Sequence, residues 1–149
     1  MIHIAPFEDR HWPDLETLWV EAWTALLPSI DFAARIPWFR NHVADLQREG
    51  ATALVAHHTG TPLGFMTINP DTRDLDQLVT ARAAQRRGIG RLLIRAAKAR
   101  SPAELSLTVA QMNQPAIRLY ESEGFAVSGT GISLRSGLPT FRMVWQGLA

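Results

Sequence analysis

At Gly50 the hydrophobic pattern of this chain changes period, and that change bounds the fold more tightly than any other feature. Before it, apolar residues recur every three to four positions. Leu15, Leu18, Trp19, Ala22, Trp23 and Leu26 lie on one helical face. Phe32, Ile36, Phe39, Val43 and Leu46 form a second such stripe. Pro13 suits the first turn of the first helix and Pro28 its end. Asp31 is an N-cap candidate for the second helix, and Gly50 its C-cap. Pro37 lies inside the second stripe, so a break or kink is expected near Ile36.

After Gly50 the chain reads as strands and turns. Residues 51–57 and 63–69 flank turn chemistry and form a hairpin, with residues 75–80 as a third strand. Residues 88–99 return to a helical period and stop at Pro102. Residues 104–109 alternate as a strand, residues 115–123 form a helix closed by Gly124, and residues 125–127 and 140–145 are the last strands. Residues 128–139, with three glycines, are expected to be a mobile or extended loop. With residues 2–6 as a first strand, the order is βααβββαβαββ. The class is α/β (α+β) around one mixed sheet.

The chain's 149 residues suit one domain, residues 1–149, at roughly 100–200 residues per domain. A net charge of +1 argues against a bulk electrostatic grip on nucleic acid. The absence of cysteine excludes disulfides, thiolate metal sites and cysteine nucleophiles. No apolar run reaches the roughly 20 residues of a membrane helix, and no signal-peptide pattern opens the chain. A cytoplasmic protein without membrane or nucleic-acid partners is therefore expected.

Residues 78–93 run from a strand through a Gly-rich loop into a helix. Gly88 and Gly90 allow a tight turn, and helix N-terminal N–H groups behind them can hold an anion. Arg86, Arg87 and Arg91 add positive charge there. The segment is not a dinucleotide fingerprint, because position 93 is Leu, and it lacks the G-K-[ST] of a P-loop. Taken alone it is also what a plain strand-to-helix connection looks like. The segment at residues 113–125 follows the next strand. It has Asn113 as an N-cap type, with Ala116 and Tyr120 one helical turn apart.

Together the two segments resemble the GNAT superfamily of acyl-CoA-dependent N-acetyltransferases. That family carries L-x-V-x-P-x-x-Q/R-x-x-G-x-G/A, then a strand, then N-x-x-A-x-x-x-Y-x-x-x-G-F. Here the first motif reads Leu78, Thr80, Arg82, Gln85, Gly88, Gly90, with Thr80 and Arg82 departing from the usual Val and Pro. The second reads Asn113, Ala116, Tyr120, Gly124, Phe125 and is complete. The resemblance is detailed over residues 75–127. It implies a three-layer fold whose mostly antiparallel sheet of about six or seven strands splays in the middle, with about four helices.

It further implies an acetyl-CoA co-substrate, with no metal. The pyrophosphate would be held by backbone N–H groups of Gln85, Arg86, Arg87, Gly88, Ile89, Gly90 and Arg91. The pantetheine arm would pair with Leu78, Val79 and Thr80 like an added strand. Asn113 would contact the pantetheine or phosphate region. A backbone N–H near Thr80 would stabilise the oxyanion. Tyr120 would be the general acid to the coenzyme A thiolate. The acceptor would be a small-molecule or peptide amine attacking directly in a ternary complex. Family members often dimerise, so a homodimer is one expected assembly.

The general base is less legible. The family position that can hold Glu appears here as Thr108, which cannot serve. Asp76 is the first candidate. It shares regular-strand parity with Asp74, Leu78 and Thr80 and so is expected on one face with them. His57, His58 and Glu21 are the other candidates. Trp19, Trp23, Phe32, Trp38 and Phe39 bring aromatic area to the helices that should border the acceptor, most of it as core. The alternative is a non-catalytic acyl-CoA-binding module of the same fold, acting as a sensor or partner subunit. A third reading, weighed as well, is a domain holding another nucleotide's phosphates.

Overall fold

The computed structural model describes residues 1–84 and 87–147. The chain runs β1 (Ile2–Pro6), α1 (Trp12–Leu26), α2 (Ile36–Arg48), β2 (Thr52–His58), β3 (Thr61–Asn69), β4 (Asp74–Thr80), α3 (Ile89–Arg100), β5 (Glu104–Ala110), α4 (Gln114–Ser122), β6 (Ala126–Ile132) and β7 (Pro139–Gln146). The strands make one seven-stranded sheet in the order β1-β2-β3-β4-β5-β7-β6. Every neighbouring pair is antiparallel except β4 and β5. This is the mixed α/β sheet that the alternation of periods implies.

The expected break near Ile36 occurs as a change of helix type. The residues Ala33–Arg35 form a short 3-10 turn, and α2 starts at Ile36 with Pro37 in its first turn. A first-turn proline loses no helical hydrogen bond, so there it starts a helix instead of breaking one. Asp31 caps the turn, its Oδ1 accepting from Ala34 N–H at 3.3 Å. Gly50 ends α2 at φ +104°, with Ala51 N–H bonded to Leu46 C=O.

Half of the expected loop at residues 128–139 is strand. The strand β6 continues to Ile132, and a turn closes it where Ser133 N–H donates to Leu138 C=O and Gly137 N–H to Ser133 C=O. The glycines at 129 and 131 sit on an edge strand and do not break it.

The core lies on both faces of the sheet. On one face Trp19 stacks on Phe39 at 4.8 Å, and Phe39 meets Phe65 edge-on at 6.1 Å. Trp19, Phe32 and Phe39 are thus core residues. On the other face α3 presses so closely that a Cβ on Gly64 would lie 2.8 Å from Ile89 Cγ2 and 3.0 Å from Leu93 Cδ1.

Two irregularities shape the middle of the sheet. The strands β4 and β5 pair only at Asp74 and Ser106, and beyond that point they part. The strand β4 also carries a bulge. Its register against β3 steps from Asp76 opposite Thr67 to Val79 opposite Phe65, and Gln77 adopts φ +54°. The extra residue reverses the parity of everything after it. Asp76 therefore does not share a face with Thr80. Asp76 reaches His42 of α2, whereas Thr80 faces Gly90 of α3.

A candidate active site at the parting of β4 and β5

The parting opens a cleft of about 200 Å³. Its walls include Trp23 of α1, Asp74 to Val79 of β4, Leu107 to Ala110 of β5, Asn113 and Tyr120. The edge of β4 past Asp74 has no strand partner on this side. Its main-chain donors and acceptors there need partners from elsewhere. An extended ligand can supply them by strand addition.

At one end of this edge stands the N-terminus of α3. Its N-cap, Gly88, has φ +77°, a conformation that favours glycine, and no side chain caps the helix. Among the described residues nothing lies within 4 Å of where a Gly88 Cβ would be, so the space they leave above the first turn is open. The N–H groups of that turn have no intrahelical acceptors. Gly90 has a different reason to be glycine: a Cβ would come 2.8 Å from Leu119 of α4, so it permits close helix packing. Ile89 is buried. Arg87 is exposed, and its N–H donates to Ala84 C=O. The Arg91 side chain turns to α4, where it meets Ser122 at 3.2 Å and Glu123 at 3.4 Å. Gln85 and Arg86 lie outside the described residues.

Tyr120 of α4 also lines the cleft, 6% exposed, its ring 5.7 Å from that of Phe125. Burial drives its phenol pKa far above the ordinary value, and the charge of Asp76 adds to this. Tyr120 is therefore a protonated hydroxyl at any working pH. Asn113 caps α4 by accepting from Ala116 N–H at 3.4 Å while lining the cleft.

Asp76 lies on the β4 wall of the cleft. Its Oδ2 is 3.3 Å from His42 Nε2, and its Oδ1 accepts from Gln77 Nε2 at 2.9 Å. Burial opposes its ionisation, but the hydrogen bond and charge of His42 and the bonds from Gln77 outweigh burial and lower its pKa. Asp74 behaves oppositely. Burial raises its pKa, Arg142 opposes that, and the charge of Asp76 adds to it. Arg142 of β7 reaches over β5 to bond Asp74 Oδ1 at 3.0 Å, Thr108 Oγ1 at 3.1 Å and Ser106 Oγ at 2.6 Å. It staples the apex of the parting.

The other sequence candidates are not brought to the cleft. His57 lies on β2 against His3, and His58 contacts the N-terminal amine. Glu21 borders a separate hollow between α1 and α2 with Glu16 and Ile36. Sequence reasoning passed over His42, Gln77 and Arg142. The Trp38/His42 spacing of i, i+4 is a usable signal for the first, since those rings stack at 4.7 Å and 16°. Among the described residues, no group of three or more His, Asp or Glu side chains is placed to hold a metal. No helix described is long and apolar enough to cross a membrane.

A mixed sheet parted at its one parallel pair, with a glycine-led uncapped helix beside the gap and a buried tyrosine lining it, is the architecture that the two sequence motifs imply. The model of the acetyltransferase (GNAT) family matches residues 12–125, and the chain belongs to that family. It is 34% identical over 136 residues to the peptidyl-lysine N-acetyltransferase YiaC of Escherichia coli, covering 89% of each chain. It is 31% identical over 129 residues to the probable N-acetyltransferase Rv2775 of Mycobacterium tuberculosis, covering 80% of this chain and 72% of that one. In fold it resembles the PaiA N-acetyltransferase of Thermoplasma acidophilum, solved in complex with coenzyme A. The TM-score is 0.75 at 20% identity, with 98% and 99% of the two chains covered. The protein is an N-acetyltransferase by family.

Proposed function

We propose that this protein moves an acetyl group from acetyl-CoA to the primary amine of a small molecule or peptide, by direct attack in a ternary complex. The observation that carries the reading is the pairing of an unpartnered β4 edge with a buried Tyr120 across one cleft. The pantetheine arm lies along Leu78, Val79 and Thr80. The pyrophosphate sits over Gly88, Ile89, Gly90 and Arg91, with Gln85, Arg86 and Arg87 in the same loop. Asn113 borders the arm. The open space above Gly88 and the uncapped first turn of α3 suit an anionic group.

The thioester carbonyl points at a β4 main-chain N–H near Thr80, which holds the oxyanion. The amine nitrogen bonds to the acyl carbon, and the carbon–sulfur bond breaks. Tyr120 donates a hydrogen bond and then its proton to the departing sulfur, and the proton shed by the new amide nitrogen returns to the phenol oxygen. The amine arrives beside Asp76, an acidic group on the β4 wall of the cleft. The likeness to a peptidyl-lysine N-acetyltransferase favours a lysine side chain as the acceptor class.

Thermal unfolding with acetyl-CoA tests the reading. At 100 times Kd, binding adds about 2.7 kcal/mol. That raises Tm by roughly 5–10 °C for a chain of this size. Gly88→Trp fills the open space above α3 and removes the shift while the fold persists. No shift in wild type at saturating acetyl-CoA defeats the proposal. A shift without turnover of any amine leaves the alternative, a non-catalytic acyl-CoA-binding module.

A further inference from the structure

Gln77 carries two local costs. Its backbone sits at φ +54°, and its side-chain Oε1 is buried with no hydrogen-bond donor among the described residues. The amide cannot be turned over to relieve this, because Nε2 is the end that Asp76 requires: a carboxylate only accepts. Gln77 thus accepts an orphaned oxygen in order to aim Asp76. His42 holds the other carboxylate oxygen. The imidazole lies flat on Trp38, and the guanidinium of Arg135, from the β6–β7 turn, covers the Trp38 ring at 3.8 Å. Four side chains from three parts of the chain therefore fix one carboxylate in the cleft.

A carboxylate that already accepts from His42 and Gln77 is a poor proton acceptor and a good seat for a cation. Resting on the transferase reading above, we propose that Asp76 anchors the acceptor as an alkylammonium ion and that His42 sets how strongly it does so. A neutral imidazole donates to Asp76 and leaves the carboxylate charge free for the acceptor. An imidazolium neutralises that charge and competes with the cation. Asp76 touches the substrate, and His42 is a positioning residue acting through it. The substrate class is an aliphatic primary amine, protonated in solution, with its stem against Trp23. An arylamine, neutral in the same range, gains nothing from this seat.

The charged and titratable groups around the pair are few. Asp74, on the same strand, is engaged by Arg142 of β7. Tyr120 approaches from α4 and stays protonated. Arg135 reaches the pair only through Trp38. The proton balance is simple. The anchored ammonium gives one proton to water, its nitrogen bonds to the acyl carbon as the thiolate leaves, and a second proton reaches the sulfur through Tyr120. Amide and free thiol remain.

The test measures binding of Nα-acetyl-lysine methylamide to the coenzyme A-loaded and the free protein between pH 8.5 and 5.5. The norleucine analogue, with the same body and no ammonium, is the control. For wild type the lysine probe binds at least about tenfold more weakly at pH 5.5 than at pH 8.5, while the norleucine probe changes by less than about twofold. His42→Gln keeps an N–H for Asp76 but cannot titrate, so its affinity is nearly flat with pH. Asp76→Asn loses at least about tenfold at pH 8.5 for the lysine probe alone. Melting temperatures confirm that both variants fold. A wild-type affinity independent of pH, equal binding of the two probes, or full affinity in Asp76→Asn overturns the proposal. The acetyl-CoA thermal shift is a separate readout. Its absence defeats the transferase reading, whereas its presence with failed lysine discrimination defeats only the anchor.

Discussion

Gly64→Ala is expected to loosen the fold and the cofactor cradle together, because Gly64 is where α3 sits on the sheet. An added Cβ meets Ile89 Cγ2 at 2.8 Å, Leu93 Cδ1 at 3.0 Å and Val79 O at 3.3 Å. Ordinary contact begins near 3.4 Å, so α3 must lift by about half an ångström. Ile89 is the first residue of α3 and fully buried, and its β-branched side chain has little freedom to turn away. Overpacking of this kind costs about 1–3 kcal/mol. At roughly 2–4 °C per kcal/mol, a cost near 2 kcal/mol lowers Tm by roughly 4–8 °C. Ile89 follows Gly88 directly, so the same movement shifts the uncapped turn and weakens acetyl-CoA binding. The assay is a double-mutant cycle in urea with Ile89→Ala. That change alone opens a cavity costing about 2–5 kcal/mol. Combined with Gly64→Ala it makes room for the new methyl, so the pair is less destabilised than the sum by at least about 1 kcal/mol. Additivity within about 0.5 kcal/mol refutes the reasoning, because the clash with Ile89 is then not the cause.

Tyr120→Phe lowers kcat by about 10²–10⁴-fold while the KM for acetyl-CoA changes little, as measured by thiol release; an unchanged kcat removes Tyr120 from the reaction. Arg142→Met leaves Asp74 half-buried and unpaired at the apex and costs about 1–3 kcal/mol in urea unfolding; adding Asp74→Asn recovers part of it. His11 makes stability fall with acid. Its burial lowers its folded pKa, with Arg10 adding to this, and its Nδ1 accepts Glu8 N–H at 2.9 Å, which an imidazolium cannot do. As pH drops through the ordinary histidine value near 6.5 the unfolded chain takes up the proton first, so stability is lost below that pH. His11→Gln should flatten the urea midpoint between pH 7 and 5, and an equally steep decline in the variant counts against the assignment.

The element order was legible because each segment's period and punctuation agree. Gly50 and Gly124 close helices at positive φ where the pattern ends, and Asn113 caps where its residue type says it should. The less exact readings concern residues whose meaning depends on position within an element. Pro37 is a breaker in the middle of a helix and a starter in its first turn, and the stripe of apolar residues does not say which. The glycines of β6 read as loop because sequence does not reveal an edge strand.

The candidate site was less legible because it is made by a departure from periodicity. Period-2 reasoning sends Asp76 and Thr80 to one face, and one extra residue at Gln77 sends them to opposite faces. A glutamine at φ +54° leaves no mark in composition or pattern. Yet that bulge is what turns Asp76 toward α2, and only then do Trp38 and His42, 34 residues earlier in the chain than Asp76, become part of its surroundings. Arg142 is hidden for a similar reason. Its three partners come from β4 and β5, and its role exists only once β7 lies beside β5 with Arg142 opposite Thr108. The motif residues that sequence does reveal hold a ligand through their backbone, where local pattern is enough. The residues that choose the acceptor act through side chains gathered from distant elements. The co-substrate half of such a site is therefore readable from one sequence, and the acceptor half must be read from the fold.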